Sequence, residues 1–370
     1  MKIMKTNFRR ITSLFILSSL FFSCSSDTSL EVKNQTLTYV SMEKIELAKH
    51  VANALKTNNG AELLSNSKFK SLNEILLSEV FNDLNITASK EFITEEIEKE
   101  GILECFMYNQ EVVNAKTLSD LQILFAPIDD NTKTLEGVDI NGEVVFVDAS
   151  QPSNKPILFI DQHGKYEFQK SMKSLNEELI KRGFDAQMTP PVVSGKATAV
   201  DFNKIDAIKL ADVQEPWFKG NPEIYAIVFN FDQNFNEPNV PPLRVLQMPY
   251  IKKKNVLYTP EQPFVFWNEH TRNAATMIIM EEDSGFDYAG VINIVVQAIG
   301  TGVTLGTGDA VWTPFVVNTI TAVLDEIKGS WSTDSDDEID QYYIIRKQNV
   351  TQLRSGASNN AAITYSFETL

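Results

Sequence analysis

Short apolar runs cut by prolines restrict the fold of this chain more than any other feature. After residue 200 they fall at Ala207–Leu210, Ile224–Phe231, Arg244–Met248, Gln262–Trp267, Ala275–Glu281, Gln341–Arg346 and Ile363–Phe367. Pro238, Pro241, Pro242, Pro249, Pro260 and Pro263 sit between them. Runs of this length, rich in β-branched and aromatic side chains, suit strands. Proline has no N–H to give a ladder, so it belongs at turns and edges. The pattern predicts an antiparallel β-sandwich over residues 201–370. An insertion at 285–330 interrupts it, with two apolar helical stretches at 288–305 and 310–328. The first is uncharged from Tyr288 to Gly308, but its glycines, threonines and amides suit a packed helical layer better than a membrane span.

Upstream the periodicity changes. Residues 41–116 read as a helical subdomain. Ser41 can cap a helix whose Ile45, Ala48, Val51, Ala52 and Leu55 keep a three-to-four spacing, stopped by Asn59-Gly60. Ser71 with Glu74 forms a capping box before a second helix through Leu84, and residues 88–100 give a third. Residues 117–200 read as a small mixed α/β region. It contains a hairpin centred on Asn141-Gly142, a strand at Pro156–Asp161 and a helix over 166–183. The expected fold class is therefore α+β.

The first residues are an address. Lys2, Lys5, Arg9 and Arg10 precede an apolar run from Ile11 to Phe22, too short to span a bilayer. Ser23-Cys24 follows, which resembles a bacterial lipobox. That resemblance implies a signal peptide at 1–23, cleavage before Cys24, acylation of its thiol and amino group, and a tether over 24–40. Two or more acyl chains anchor stably where one is marginal. Cleavage removes four positive charges and no acid, taking the formal charge from −16 to −20. Such acidity argues against nucleic acid as a partner. Cys105 is then the one remaining cysteine, so the mature chain holds no internal disulfide. Its apolar neighbours mark it as a buried hydrophobe.

Residues 215–228 (EPWFKGNPEIYAIV), 246–251 (LQMPYI), 264–285 (FVFWNEHTRNAATMIIMEEDSG) and 336–347 (DDEIDQYYIIRK) together carry a wider resemblance. They are similar to an uncharacterised family of secreted bacterial proteins and lipoproteins, known only as a domain of unknown function, over roughly residues 120–368. The resemblance implies the fold and export. It implies no catalytic residue.

The sharpest candidate site is acidic. Asp232 follows one predicted strand. Glu281, Glu282, Asp283 and Asp287 follow another. Asp334, Asp336, Asp337, Glu338 and Asp340 precede a third. Were the three groups to share one end of the sandwich, a hard cation such as calcium would offset their repulsion, in the manner of C2-like sandwiches. The segment is not an EF-hand loop, and the competing reading is a solvated acidic loop. A second candidate is Asp161-Gln162-His163, which with Glu269-His270 would suit a metal-dependent hydrolase. His50, the third histidine, lies in the helical segment. No GxSxG elbow is present, and the glycines from 300 to 308 lack the lysine of a phosphate loop. Aromatics from Trp217 to Trp267 are expected mostly in the core.

These readings point to a lipid-anchored protein of the bacterial envelope, at the outer membrane. It would act as a non-enzymatic binding module for a protein or glycan, with calcium as its candidate ion. The alternative is a secreted metal-dependent hydrolase.

Overall fold

The computed structural model describes residues 44–57, 59–66, 68–69, 74–83, 103–113, 117–127, 132–162, 164–186, 199–229, 243–269, 274–282, 288–302, 309–329 and 337–369. They form an α+β protein built on three sheets.

The first sheet uses β1 (Ile75–Leu76), β2 (Leu103–Tyr108), β3 (Gln122–Phe125), β4 (Thr134–Asp139), β5 (Val144–Asp148) and β6 (Ile157–Gln162). Its order is β1-β2-β6-β3-β4-β5, with β3 and β6 parallel and the other pairs antiparallel. The β4–β5 hairpin turns at Asn141-Gly142 as expected. Asp139 Oδ1 accepts the N–H groups of Asn141 and Glu143 at 2.8 and 2.9 Å. Helices α1 (44–57), α2 (Gly60–Leu64) and α3 (Leu77–Asp83) cover one face. Ala48, Val51, Leu55, Leu64 and Leu77 pack there on Cys105, Ile123, Val138 and Ile160. The helical segment and the strands that follow it thus share one core. Ile75 and Leu76 were expected in a helix. They form a strand instead, because they pair with Cys105 and Glu104. Ser71 and the segment 88–100 lie outside the described residues.

Residues 211–223 cross the other face of this sheet. Phe218 and Trp217 pack there on Phe106, Leu124 and Phe159. The Trp217 ring lies 5.0 Å from Tyr108 and 5.9 Å from Phe159, and its Nε1–H donates to Ala149 O at 2.8 Å. A Trp217→Phe variant keeps most of the ring contact and loses this bond. Its urea midpoint should fall by the equivalent of about 1 kcal/mol.

The two remaining sheets form the expected sandwich. One contains β7 (Asp201–Leu210), β10 (Leu257–Tyr258), β11 (Gln262–Phe266), β14 (Gln352–Ser355) and β15 (Ala361–Thr369), ordered β10-β7-β15-β14 with β11 also on β7. The other contains β8 (Ile224–Phe229), β9 (Leu243–Gln247), β12 (Ala274–Glu281) and β13 (Asp337–Arg346), ordered β13-β12-β8-β9. Ile205, Ile208, Phe264 and Ile363 of the first meet Ala226, Leu246, Met277, Ile279 and Ile345 of the second. Helices α4 (Gly164–Lys181), α5 (Ala289–Gly302) and α6 (Asp309–Gly329) cover the outer face of the second sheet. Phe168, Leu175, Val291, Val295, Ile320 and Val323 pack there on Tyr225, Ile227 and Ile278. This explains the unbroken apolar run of β8. Tyr225, Ile227 and Phe229 face helices while Ile224, Ala226 and Val228 face the other sheet, so all six are buried.

Two boundaries differ from expectation. The α4 helix belongs by its packing to the layer over the sandwich. The last acidic run does not simply precede its strand: β13 begins at Asp337, so Asp337, Glu338 and Asp340 lie within it. Pairing with β12 from Glu281 to Ala274 extends the strand past the polar residues. Among the described residues, no helix is long and apolar enough to cross a membrane.

Candidate functional site

Acidic side chains from several elements meet where the first sheet abuts the helix-covered sheet. The 211–223 segment carries Glu215 and delivers Glu223 to the start of β8. Because β12 runs antiparallel to β8, Glu281 pairs with Ile224 and arrives beside Glu223. Glu223 N–H donates to Glu281 Oε1 at 3.4 Å, and Glu282 N–H to Glu223 O at 3.1 Å. One carboxylate oxygen from each of Glu215, Glu223 and Glu281 lies within 4.8 Å of the others. Glu281 and Glu282 are only 1% and 6% exposed.

The first sheet adds Glu104, buried on β2 opposite Asp161 of β6. It also adds Glu74, whose Oε1 accepts Asn221 N–H at 3.2 Å and Asn221 Nδ2–H at 2.8 Å. Burial, then the charges of Glu215, Glu74 and Glu104, hold the Glu223 carboxyl well above the usual carboxylate range, and Lys252 opposes them weakly. The carboxylate of Glu223 also lies against Gly164, the first residue of the 18-residue α4. A Cβ at position 164 would come within 2.8 Å of Glu223 Oε1, so a larger residue there would have to push the carboxylate aside. A cleft of about 400 Å³ opens alongside, lined by Lys68, Glu74, Ile75, Glu79, Asn221 and Lys252. Carboxylates this close either retain protons or share a cation.

Of the acids named from sequence, Glu281 enters this junction. Asp337 stands opposite it in register on β13. Asp340 serves the backbone instead. Its side chain is fully buried and accepts N–H groups from Gln341, Ser358 and Ala361 at 2.8, 2.9 and 2.7 Å. The expectation that all three acidic groups share one end is corrected by strand direction. The end of β8 that precedes Asp232, at Phe229, pairs with Thr276 at the far end of β12 from Glu281. Asp232, Asp283, Asp287, Asp334 and Asp336 themselves lie outside the described residues.

Sequence reasoning missed Glu215, Glu223, Glu104 and Glu74. The one available signal was that Glu215 and Glu223 both fall in the 215–228 segment that carries the family resemblance. Of the histidine candidates, His163 and His270 lie outside the described residues, and His50 is exposed on α1. Cys105 is buried, its thiol donates to Ile75 O at 3.5 Å, and burial pushes its pKa up, which suits packing and not nucleophilic attack. Phe218, Tyr225, Phe264, Phe266 and Trp267 are core residues, as expected.

These features define an α+β protein in which a helix-covered β-sandwich meets a mixed sheet at a buried acidic junction. The chain belongs to the DUF3103 family, described as a protein of unknown function, whose model matches residues 37–370. No curated protein and no solved structure matches it.

Proposed function

We propose that this protein is a lipid-anchored component of the bacterial envelope that works as a non-enzymatic binding module. The observation that carries the reading is the start of the chain: four basic residues, a dozen apolar positions, then Ser23-Cys24. The polar stretch after Cys24 supplies reach between an acylated cysteine and the folded body, whose first described helix begins at residue 44. The module's candidate ion, calcium, would be held by Glu281 together with Glu215 and Glu223. The anchor is tested by a Cys24→Ser variant. It should leave the membrane fraction, or accumulate unprocessed, while wild type sediments with membranes. A variant that partitions and matures like wild type would refute the anchor.

One observation favours the second reading, a secreted metal-dependent hydrolase. Asp161 stands opposite Glu104, and Gly164 packs on Glu223, so the end of β6 and the start of α4 both reach the acidic junction. Peptide, ester and glycan substrates, each assayed with metal and with chelator, test it. Chelator-sensitive turnover that Asp161→Asn removes would favour the enzyme, and no turnover on any class would leave the binding module.

A further inference from the structure

We propose that the loop 251–258 docks the folded body on an anionic lipid surface. Lys252-Lys253-Lys254 is the longest run of basic residues in a chain of formal charge −16. All three lysines are exposed in the structure. They are followed by Val256 and Leu257, which are 39% and 64% exposed. The loop therefore presents positive heads and an apolar tip side by side. That is the combination which engages anionic headgroups and the acyl boundary together.

The loop is built rather than merely solvated. Ile251 is buried, and its N–H donates to Met248 O at 3.0 Å. Tyr258 Oη accepts the N–H groups of Lys252 and Lys253 at 3.1 and 3.0 Å. Asn255, at φ 61°, turns the chain back. Its N–H donates to Leu210 O at 2.7 Å and its Nδ2–H to Ala211 O at 3.2 Å. The backbone is thus tied to the end of β7, and β10 forms the edge of its sheet. Presenting this surface requires little further ordering of the backbone.

Charge within the loop remains available. Lys254 lies 3.7 Å from Asp212, but both side chains are more than half exposed, at 63% and 55%. Such a pair contributes little. Lys252 lines the cleft with Glu74 and Glu79 and interacts with Glu223, so Lys253 and Lys254 are the charges free to meet a surface. The acids elsewhere on the molecule are screened beyond about 8 Å at physiological salt, so local charge governs contact with a flat surface. An acidic polypeptide would match the lysines but would leave Val256 and Leu257 in water. The apolar tip therefore favours a bilayer. The inference does not depend on acylation of Cys24.

The test uses the full chain with Cys24→Ser, in which Cys105 is buried. A cysteine is introduced at Leu257, or at Leu353 as a control. Leu353 is 77% exposed on β14, at the opposite edge of the same sheet. Each is labelled with a polarity-sensitive fluorophore and mixed with vesicles of phosphatidylcholine alone or with phosphatidylglycerol. The label at 257 should shift to the blue only with phosphatidylglycerol and return in high salt, and the label at 353 should not respond. Lys253→Gln with Lys254→Gln should weaken the partitioning roughly 25-fold, about fivefold per lysine next to an anionic surface. A water-like label at 257 on vesicles that bind the chain would overturn the proposal, as would equal responses at 257 and 353. A response to poly-glutamate with none to phosphatidylglycerol would also overturn it, in favour of an acidic protein partner.

Discussion

An Asp340→Ala variant is expected to lose about 3–5 kcal/mol of stability, enough to threaten folding at growth temperature. The carboxylate is fully buried and takes three backbone N–H groups, one from its own strand and two from the corner between β14 and β15. Removing it takes the acceptor from all three donors, and the Ala361 N–H is left unpaired in a buried position. The same corner is sealed by Tyr342, whose hydroxyl donates to Ala361 O at 3.0 Å. Gly356 is shaped to the carboxylate, for a Cβ there would lie 2.1 Å from Asp340 Cγ. Gly356→Ala should therefore destabilise through the same contact. Asp340→Asn, which keeps one oxygen acceptor, should cost less than alanine. Chemical denaturation measures all three. The losses should be the same with calcium and with chelator, which separates this structural carboxylate from the junction acids. A near-neutral Asp340→Ala would show that the backbone bonds at this corner contribute little.

At the junction the sign is reversed. Replacing Glu223 by glutamine is expected to stabilise the protein at pH 8 in chelator, by about 1–3 kcal/mol, because it removes a crowded buried carboxylate. Burial and neighbouring acids raise the folded-state pKa of Glu223 above its unfolded value of about 4.5. Below that value both states carry the proton and the group costs nothing. As pH rises through the window, the unfolded chain releases its proton while the folded site still retains one, and wild type loses stability. The glutamine variant does not lose it. Its advantage should therefore grow from pH 5 to pH 8, in paired melts at each pH.

Calcium should work against that advantage. An ion shared by Glu215, Glu223 and Glu281 would bind the folded form alone and add about 2.7 kcal/mol at a hundredfold excess over Kd. Magnesium should help less, because it dehydrates reluctantly and demands octahedral geometry. Wild type should gain stability with millimolar calcium, and Glu223→Gln should gain little. Identical melting of wild type in calcium and in chelator would eliminate the cation and leave protons as the charges that the junction holds. A pH-independent difference between wild type and variant would contradict the raised pKa.

Much of the architecture was legible from the sequence, and particular residues show why. The β8 segment reads Ile-Tyr-Ala-Ile-Val-Phe, apolar at every position, and only a strand covered on both faces requires that. Asn141-Gly142 between alternating residues marked the β4–β5 hairpin. The two stretches around 288–328 became α5 and α6. Short pairings were harder. Ile75–Leu76 satisfies a helical spacing as well as a strand, and only the presence of β2 beside it decides between them. The β10 and β14 strands have two and four residues, too few for a periodicity.

The candidate site was legible only in part. Glu281 reads from the sequence as an acid at a strand end, but its neighbours in space do not. Asp232 groups with it in the sequence because each follows an apolar run. That would hold only if the two strands ran the same way, and β8 and β12 run antiparallel. Along the chain Asp340 reads as a loop acid, although its neighbours in space are backbone amides of the β14–β15 corner. Glu215 and Glu223 attracted no notice, since a carboxylate in a polar connecting segment is ordinarily solvated.

By itself the sequence determined the α+β class, the sandwich, the helical layer and the burial of Cys105. Each of these depends on local composition or on periodicity along one element. Tertiary structure alone decided strand direction, the packing of α4 over the sandwich, the backbone role of Asp340 and the meeting of Glu215, Glu223 and Glu281. Periodicity states which side of an element is apolar, but not which distant segment will cover it. Carboxylates far apart in the chain become neighbours only once antiparallel pairing fixes the register, and only there does their shared charge acquire an energy.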